Sequence, residues 1–252
     1  SPLSYRVITQ SNSTNLCDQR ARTGVDDYSK FSWSYFLKEK SELKDQIIGL
    51  IKELKNKNGI IVKIIRLDNS GENNALEKLC KQEGLGIKFE YTAPGTPQQN
   101  GRVERKFQTL YRRLRSSLFG SGIKGAFKKR LWAEAANTAT DLDNILVNKA
   151  KMRVHFNIFW EGVKSLISIS STKIFGEMVV IKDQTKIKLK LKEHGNICIW
   201  LGYAKNHAAV TYRVLNLKIN QRSLIRDVAF LQRSYGEHMS KKAEICIKNN
   251  EG

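Results

Sequence analysis

The chain has 252 residues, 40% of them hydrophobic and 27% charged, with four cysteines and a formal net charge of +20. That hydrophobic content can fill one large or two modest cores, which excludes wholesale disorder. No apolar run approaches about 18 residues, no charged-then-apolar leader opens the chain, and neither cysteines nor histidines come in paired ligand spacings, which argues against a membrane span, a secretion signal, a disulfide framework and a structural zinc site.

The opening Ser1 fits a piece of a longer product, and reduced intracellular thiols are expected of Cys17, Cys80, Cys198 and Cys246. The charge is unevenly placed. Residues 1–100 carry 15 Lys and Arg against 12 Asp and Glu, whereas residues 101–252 carry 29 against 12. A surplus of that size gains affinity for DNA or RNA by releasing counterions from phosphates.

In chain order, the first 25 residues show little periodicity. "FSWSYFLK" (31–38) reads as a strand, and Leu43, Ile47, Leu50, Ile51 and Leu54 then mark one face of a helix that Asn58-Gly59 stops. "IIVKIIRL" (60–67) is a β-branched run expected to form a buried strand ending at Asp68. A short helix over about 73–83 and the strand "IKFEY" (87–91) follow. After the loop with Pro94 and Pro97 comes a helix over about 99–118, with Val103, Phe107, Leu110, Leu114 and Leu118 as its apolar stripe, and a second helix over about 128–146.

This alternation implies an α/β layer structure over residues 1–150, with its first strand degenerate or truncated. Residues 151–172 read as a linker, 173–236 as a small all-β module of hairpin-spaced strands, and 237–252 as a frayed polar tail. In "KIKLKLK" the residues Lys186, Lys188 and Lys190 share one strand face.

Two acids stand out. Asp68 ends a buried strand, where open α/β sheets collect ligands, although "LDNSGE" alone is a common turn. Glu104 is the lone acid among ten Lys and Arg between residues 101 and 130, whereas a solvated helix face ordinarily mixes signs. It follows a stripe residue, which turns it about 100° toward the solvent border. Between Asp68 and Glu104 lie 35 residues.

With "VDDYSKFSWSYFLKEKSEL", "IIRLDNSGEN", "YTAPGTPQQNGRVERK", "LWAEAANTATDLDNIL" and the stretch from "FGEMVVI" to "LIRDVAFL", in that order over roughly residues 24–236, the chain resembles the integrase core of copia-type LTR retrotransposons, in the retroviral integrase superfamily. The resemblance implies a ribonuclease H-like fold, a mixed five-stranded sheet flanked by helices, followed by a small all-β barrel-like domain. It implies metal-dependent DNA integration by a triad of two aspartates and a glutamate, with Asp68 and Glu104 matching the last two positions and Mg2+ or Mn2+ as cofactor. It implies DNA partners (element ends and target DNA), a homo-oligomer, no membrane or small-molecule substrate, and an intracellular, nuclear location. Candidate nucleic-acid contacts are Gln99, Asn100, Arg102, Arg105, Lys106, Arg112 and Arg113, together with Lys186, Lys188 and Lys190 of the β module.

One expectation fails within the sequence itself. The first aspartate of the triad belongs on the first strand, about 20 residues before Asp26-Asp27, and counting back lands near Arg6; no acid occurs in residues 1–17. Two divalent ions ~4 Å apart repel by roughly 16 kcal/mol at an effective dielectric of about 20, so each carboxylate matters. Catalytic impairment is therefore expected. A non-catalytic DNA-binding remnant and a ribonuclease H-type nuclease are the alternatives.

Overall fold

The computed structural model describes residues 4–10, 20–67, 71–91, 97–148, 152–160, 172–182, 195–205, 207 and 210–250. They fall into two compact units, residues 1–111 with 143–165 and residues 112–142 with 166–252. No helix among the described residues is long and apolar enough to cross a membrane.

The first unit is built on β1 (Ser4–Gln10), β2 (Arg20–Asp26), β3 (Ser32–Leu37), β4 (Ile61–Leu67) and β5 (Lys88–Tyr91). Their order is β3-β2-β1-β4-β5. The β1–β2 and β2–β3 pairs are antiparallel, while β4 runs parallel to both β1 and β5. This is the mixed five-stranded sheet that the resemblance implies. The parallel pairs need crossovers, and helices supply them: α1 (Leu43–Asn58) before β4 and α2 (Gly71–Gln82) after it.

Leu43, Ile47, Ile51 and Leu54 of α1 bury their stripe against Val62, Ile65 and Leu67 of β4 and Leu76 and Cys80 of α2. Gly59, in the left-handed region at φ 64°, ends α1: its N–H donates to the Lys55 carbonyl and the N–H of Ile60 to the Leu54 carbonyl, both at 3.1 Å.

The segment expected to hold a degenerate or truncated first strand contains β1. Both β1 and β2 form, and β1 lies at the centre of the sheet. Arg22, 1% exposed, and Asp26, fully buried, share one face of β2. Buried polar residues break the apolar alternation by which a strand is read from sequence.

The long helix α3 (Pro97–Gly120) and α4 (Gly125–Asn144) follow. The expected linker contains regular structure: β6 (Val147–Asn148) pairs with β7 (Arg153–Val154), which leads into α5 (His155–Phe159). Phe159 stacks on Phe31 at a centroid distance of 4.9 Å and meets Trp33 edge-on at 5.0 Å, so this segment completes the core of the first unit.

The second unit holds β8 (Glu177–Lys182), β9 (Gly195–Tyr203), β10 (Tyr212–Asn216), β11 (Gln221–Ile225) and β12 (Val228–Ser234). They form an antiparallel sheet in the order β11-β10-β9-β8-β12. Val179, Cys198, Trp200 and Val214 pack on one face with Tyr212 and Phe230. Within this unit Glu134 of α4 is bracketed by Arg213 at 3.3 Å and Arg222 at 2.9 Å.

The chain then continues as α6 (Tyr235–Asn250), where a frayed tail is expected from sequence. Its start is a reciprocal cap: the Ser234 N–H donates to Glu237 Oε2 at 2.8 Å, and the Glu237 N–H donates to Ser234 Oγ at 3.3 Å.

Three distant stretches meet beside that cap. The Gly236 N–H donates to the Ser121 carbonyl at 2.9 Å and the Tyr235 N–H to the Gly176 carbonyl at 3.0 Å. A Cβ on Gly122 would lie 2.5 Å from Gly236 Cα, and one on Gly176 would overlap Ser121 Cβ.

Candidate metal and nucleic-acid site

The sheet decides which residues reach the end of β4. Arg6 pairs with Ile64, Val7 with Ile65 and Ile8 with Arg66, and the next step along β1 is Thr9, itself opposite Gly24 of β2. The row level with Leu67 therefore runs through Thr9 and Gly24, with no carboxylate in it. β1 reads SYRVITQ, without an acid at any point.

Asp26 does not fill the gap. It lies in the row of Val7 and Ile65, two residues before the end of β4. Its Oδ2 accepts both the N–H and the hydroxyl of Ser29 at 2.6 Å, its own N–H donates to the Phe31 carbonyl at 2.9 Å, and the Lys30 N–H donates to its carbonyl at 3.0 Å. The Asp26-Asp27-Tyr28-Ser29 motif is thus the turn that joins β2 to β3. Burial pushes the Asp26 carboxyl above its ordinary pKa, partly offset by the Ser29 hydrogen bonds. Asp27 faces Lys30, 3.2 Å from its ammonium.

Asp68 lies outside the described residues, as do Lys186, Lys188 and Lys190; for Gln99, Asn100 and Arg102 only the backbone, within α3, is described. Glu104 is half-buried on α3. The stripe of that helix is as expected at Leu110, Leu114 and Leu118, all buried, and Phe107 stacks on Tyr111 with 14° between ring planes. Arg105, Arg112 and Arg115 are exposed, and Arg113 is half-buried. Among the described residues no group of three or more His, Cys, Asp and Glu could hold a metal ion.

Lys106, a candidate contact to nucleic acid, has a partner within the chain. Its side chain is 13% exposed, and its ammonium is paired with the buried carboxylate of Asp143 near the end of α4. His155 Nδ1 lies 4.0 Å from the same carboxylate. The neighbouring Asn144 accepts the Ser32 N–H at 2.8 Å and donates to the Ser32 carbonyl at 2.8 Å, joining α4 to β3.

Sequence reasoning missed this junction. Its signal was present: Asp143 stands four residues after the buried Ala139 and eight after the buried Ala135, an acid on an apolar stripe.

No protein-family model matches the chain. It is similar to the retrovirus-related Pol polyprotein from transposon TNT 1-94 of Nicotiana tabacum, 31% identical over 190 residues, covering 72% of this chain and 13% of that protein. The corresponding polyprotein from transposon RE1 of Arabidopsis thaliana is 26% identical over 206 residues, covering 82% and 13%. That from transposon RE2 of the same plant is 24% identical over 213 residues, covering 84% and 14%.

Among solved structures, the HTLV-2 integrase catalytic core domain in complex with magnesium aligns with a TM-score of 0.44 at 15% identity, covering 62% of this chain and 94% of that one. The catalytic core domain of BIV integrase aligns with a TM-score of 0.45 at 23% identity, covering 61% and 93%. The chain spans only 13–14% of the length of the curated relatives it matches. On the ordered motifs and the identity to these polyproteins, the chain belongs to the retrovirus-related Pol polyproteins of transposons.

Proposed function

We propose that this chain is the integrase segment of a copia-type LTR retrotransposon polyprotein, with a ribonuclease H-like core and a small β-barrel-like module behind it. It binds DNA in the nucleus, with further copies of itself, and is impaired in strand transfer. Asp68 and Glu104 are its two remaining metal-site carboxylates, for Mg2+ or Mn2+.

The observation that carries the reading is the make-up of the strand beside β4. The resemblance puts the third carboxylate on that strand, β1, which reads SYRVITQ and carries no acid. The donor set present does not fit a two-ion site, because Asp26 is committed to the β2–β3 turn. We therefore assign no transfer step to this chain. The DNA-binding part of the reading is supported by the exposed Arg105, Arg112 and Arg115 on α3 and by the surplus of Lys and Arg after residue 100.

Two assays test it. If about six phosphates are neutralised, duplex DNA affinity falls roughly 10³-fold between about 50 and 200 mM salt. A flat salt response overturns the DNA-binding reading. Magnesium-dependent joining of element-end oligonucleotides is expected to be absent; robust joining that Asp68→Asn abolishes refutes the impairment. Cleavage of an RNA–DNA hybrid instead would favour the nuclease alternative.

A further inference from the structure

We infer that Lys106 is a positioning residue for α3, not a contact to nucleic acid. The inference rests on the DNA-binding reading above, whose candidate contacts share this helix. At about 100° per residue, Leu110, Leu114 and Leu118 centre the buried face of α3, while Arg105 and Arg112 fall on the opposite side. Lys106 lies at one border of the buried face and Glu104 at the other. A lysine at such a border ordinarily runs its stem along the apolar surface and leaves its ammonium in water.

Here the ammonium is turned in and paired with Asp143, whose side chain is 4% exposed. Asp143 is itself held, because the next residue, Asn144, grips both backbone groups of Ser32 at the start of β3. His155 also faces the Asp143 carboxylate, its Nδ1 4.0 Å away. The pair therefore links one border of α3 to the sheet through the end of α4. An apolar stripe alone permits a helix to roll by some tens of degrees; a buried, directional ion pair at its border fixes the roll. That roll decides whether the Arg105 side faces outward, and it sets where Glu104 stands.

The test is Lys106→Met in the full chain, read by amide exchange and by the salt dependence of duplex DNA binding. The expected result is at least about tenfold faster exchange for the amides of 104–109, with β4 amides unchanged. DNA affinity should fall several-fold while the slope of log affinity against log salt stays at the wild-type value, because no phosphate contact is lost. Lys106→Arg, which can still reach the carboxylate, should restore both.

A merely destabilising change would accelerate exchange in β4 as well, and a true phosphate contact would lower the salt slope by about one. Either result, or unchanged exchange at 104–109, overturns the inference. If Lys106→Met does not fold because it strands the buried Asp143 charge, the Lys106→Met/Asp143→Asn double variant replaces it and carries the same expectations. If the unmodified chain fails to bind DNA, the functional reading falls and the exchange measurement still decides the role of Lys106.

Discussion

Asn144→Ala should be among the costliest single changes in the first unit. The Asn144 amide satisfies the N–H and the carbonyl of Ser32, each at 2.8 Å, and also accepts the Ser32 hydroxyl at 3.2 Å. Both residues are buried, Ser32 at 1% exposure and Asn144 at 5%, so water does not replace the amide freely. A buried backbone group left without a partner costs about 1–3 kcal/mol, and two are stranded here. Partial relaxation at the edge strand β3 brings the sum to about 3 kcal/mol.

For a protein of this size each kcal/mol lowers Tm by about 2–4 °C, so a fall of about 6–12 °C is expected. Denaturant titration should show a lower midpoint at unchanged slope. Ser32→Ala removes only the longest of the three bonds and should cost no more than about 1 kcal/mol. If Asn144→Ala costs less than about 1 kcal/mol, or no more than Ser32→Ala does, the bridge from α4 to β3 does not carry the load assigned to it.

Three other outcomes are expected. Asp26 has a folded-state pKa raised above 3.8 by burial, so the folded state holds its proton more tightly than the unfolded chain, and stability is lost as pH rises from that value through the raised pKa. Asp26→Asn, which keeps an acceptor for Ser29 and removes the buried charge, should therefore gain on the wild type between about pH 4 and pH 7; denaturant midpoints at the two pH values check this, and a gap that shrinks with pH contradicts it. Glu134→Ala should cost about 2 kcal/mol, below the full buried-pair figure because the Arg222 side chain is 52% exposed and that of Arg213 18%; most of the loss comes from leaving the half-buried Arg213 without its carboxylate, and a Tm unchanged within error would show that the clamp is inert. Gly176→Ala combines a φ of 83° with overlap on Ser121, whereas Gly84→Ala has a φ of 63° and open space, so thermal melting should show a clearly larger loss at Gly176.

How far the sequence could be read depended on whether a residue's environment followed its chemistry. β4 was legible because Ile65 and Leu67 are apolar and buried, and α1 because its stripe and its closing Gly59 agree. β2 was not, because it buries Arg22 and Asp26, which a pattern of apolar alternation counts as exposed. α6 was read as a polar tail, although Ser234 and Glu237 spell a capping box at its start.

At the candidate site, the spacing of Asp68 and Glu104 was readable, and so was the want of an acid near the start of the chain. The register of β1 against β4 was not, because counting residues cannot see strand pairing. The pairing of Lys106 was not readable for a related reason: its partner Asp143 lies 37 positions away, and nothing local to α3 announces it.

The meeting of Ser121-Gly122, Gly176 and Gly236 has a practical consequence for anyone shortening this polypeptide. The contacts are backbone on backbone, so no side chain elsewhere can stand in for them, and one of the three participants sits only two residues beyond β12. A C-terminal boundary drawn at the end of the last strand would look natural on a sequence plot, yet it would leave the Ser121 and Gly176 carbonyls without their donors. Expression fragments of the second unit should therefore run past Gly236 and include the first turns of α6.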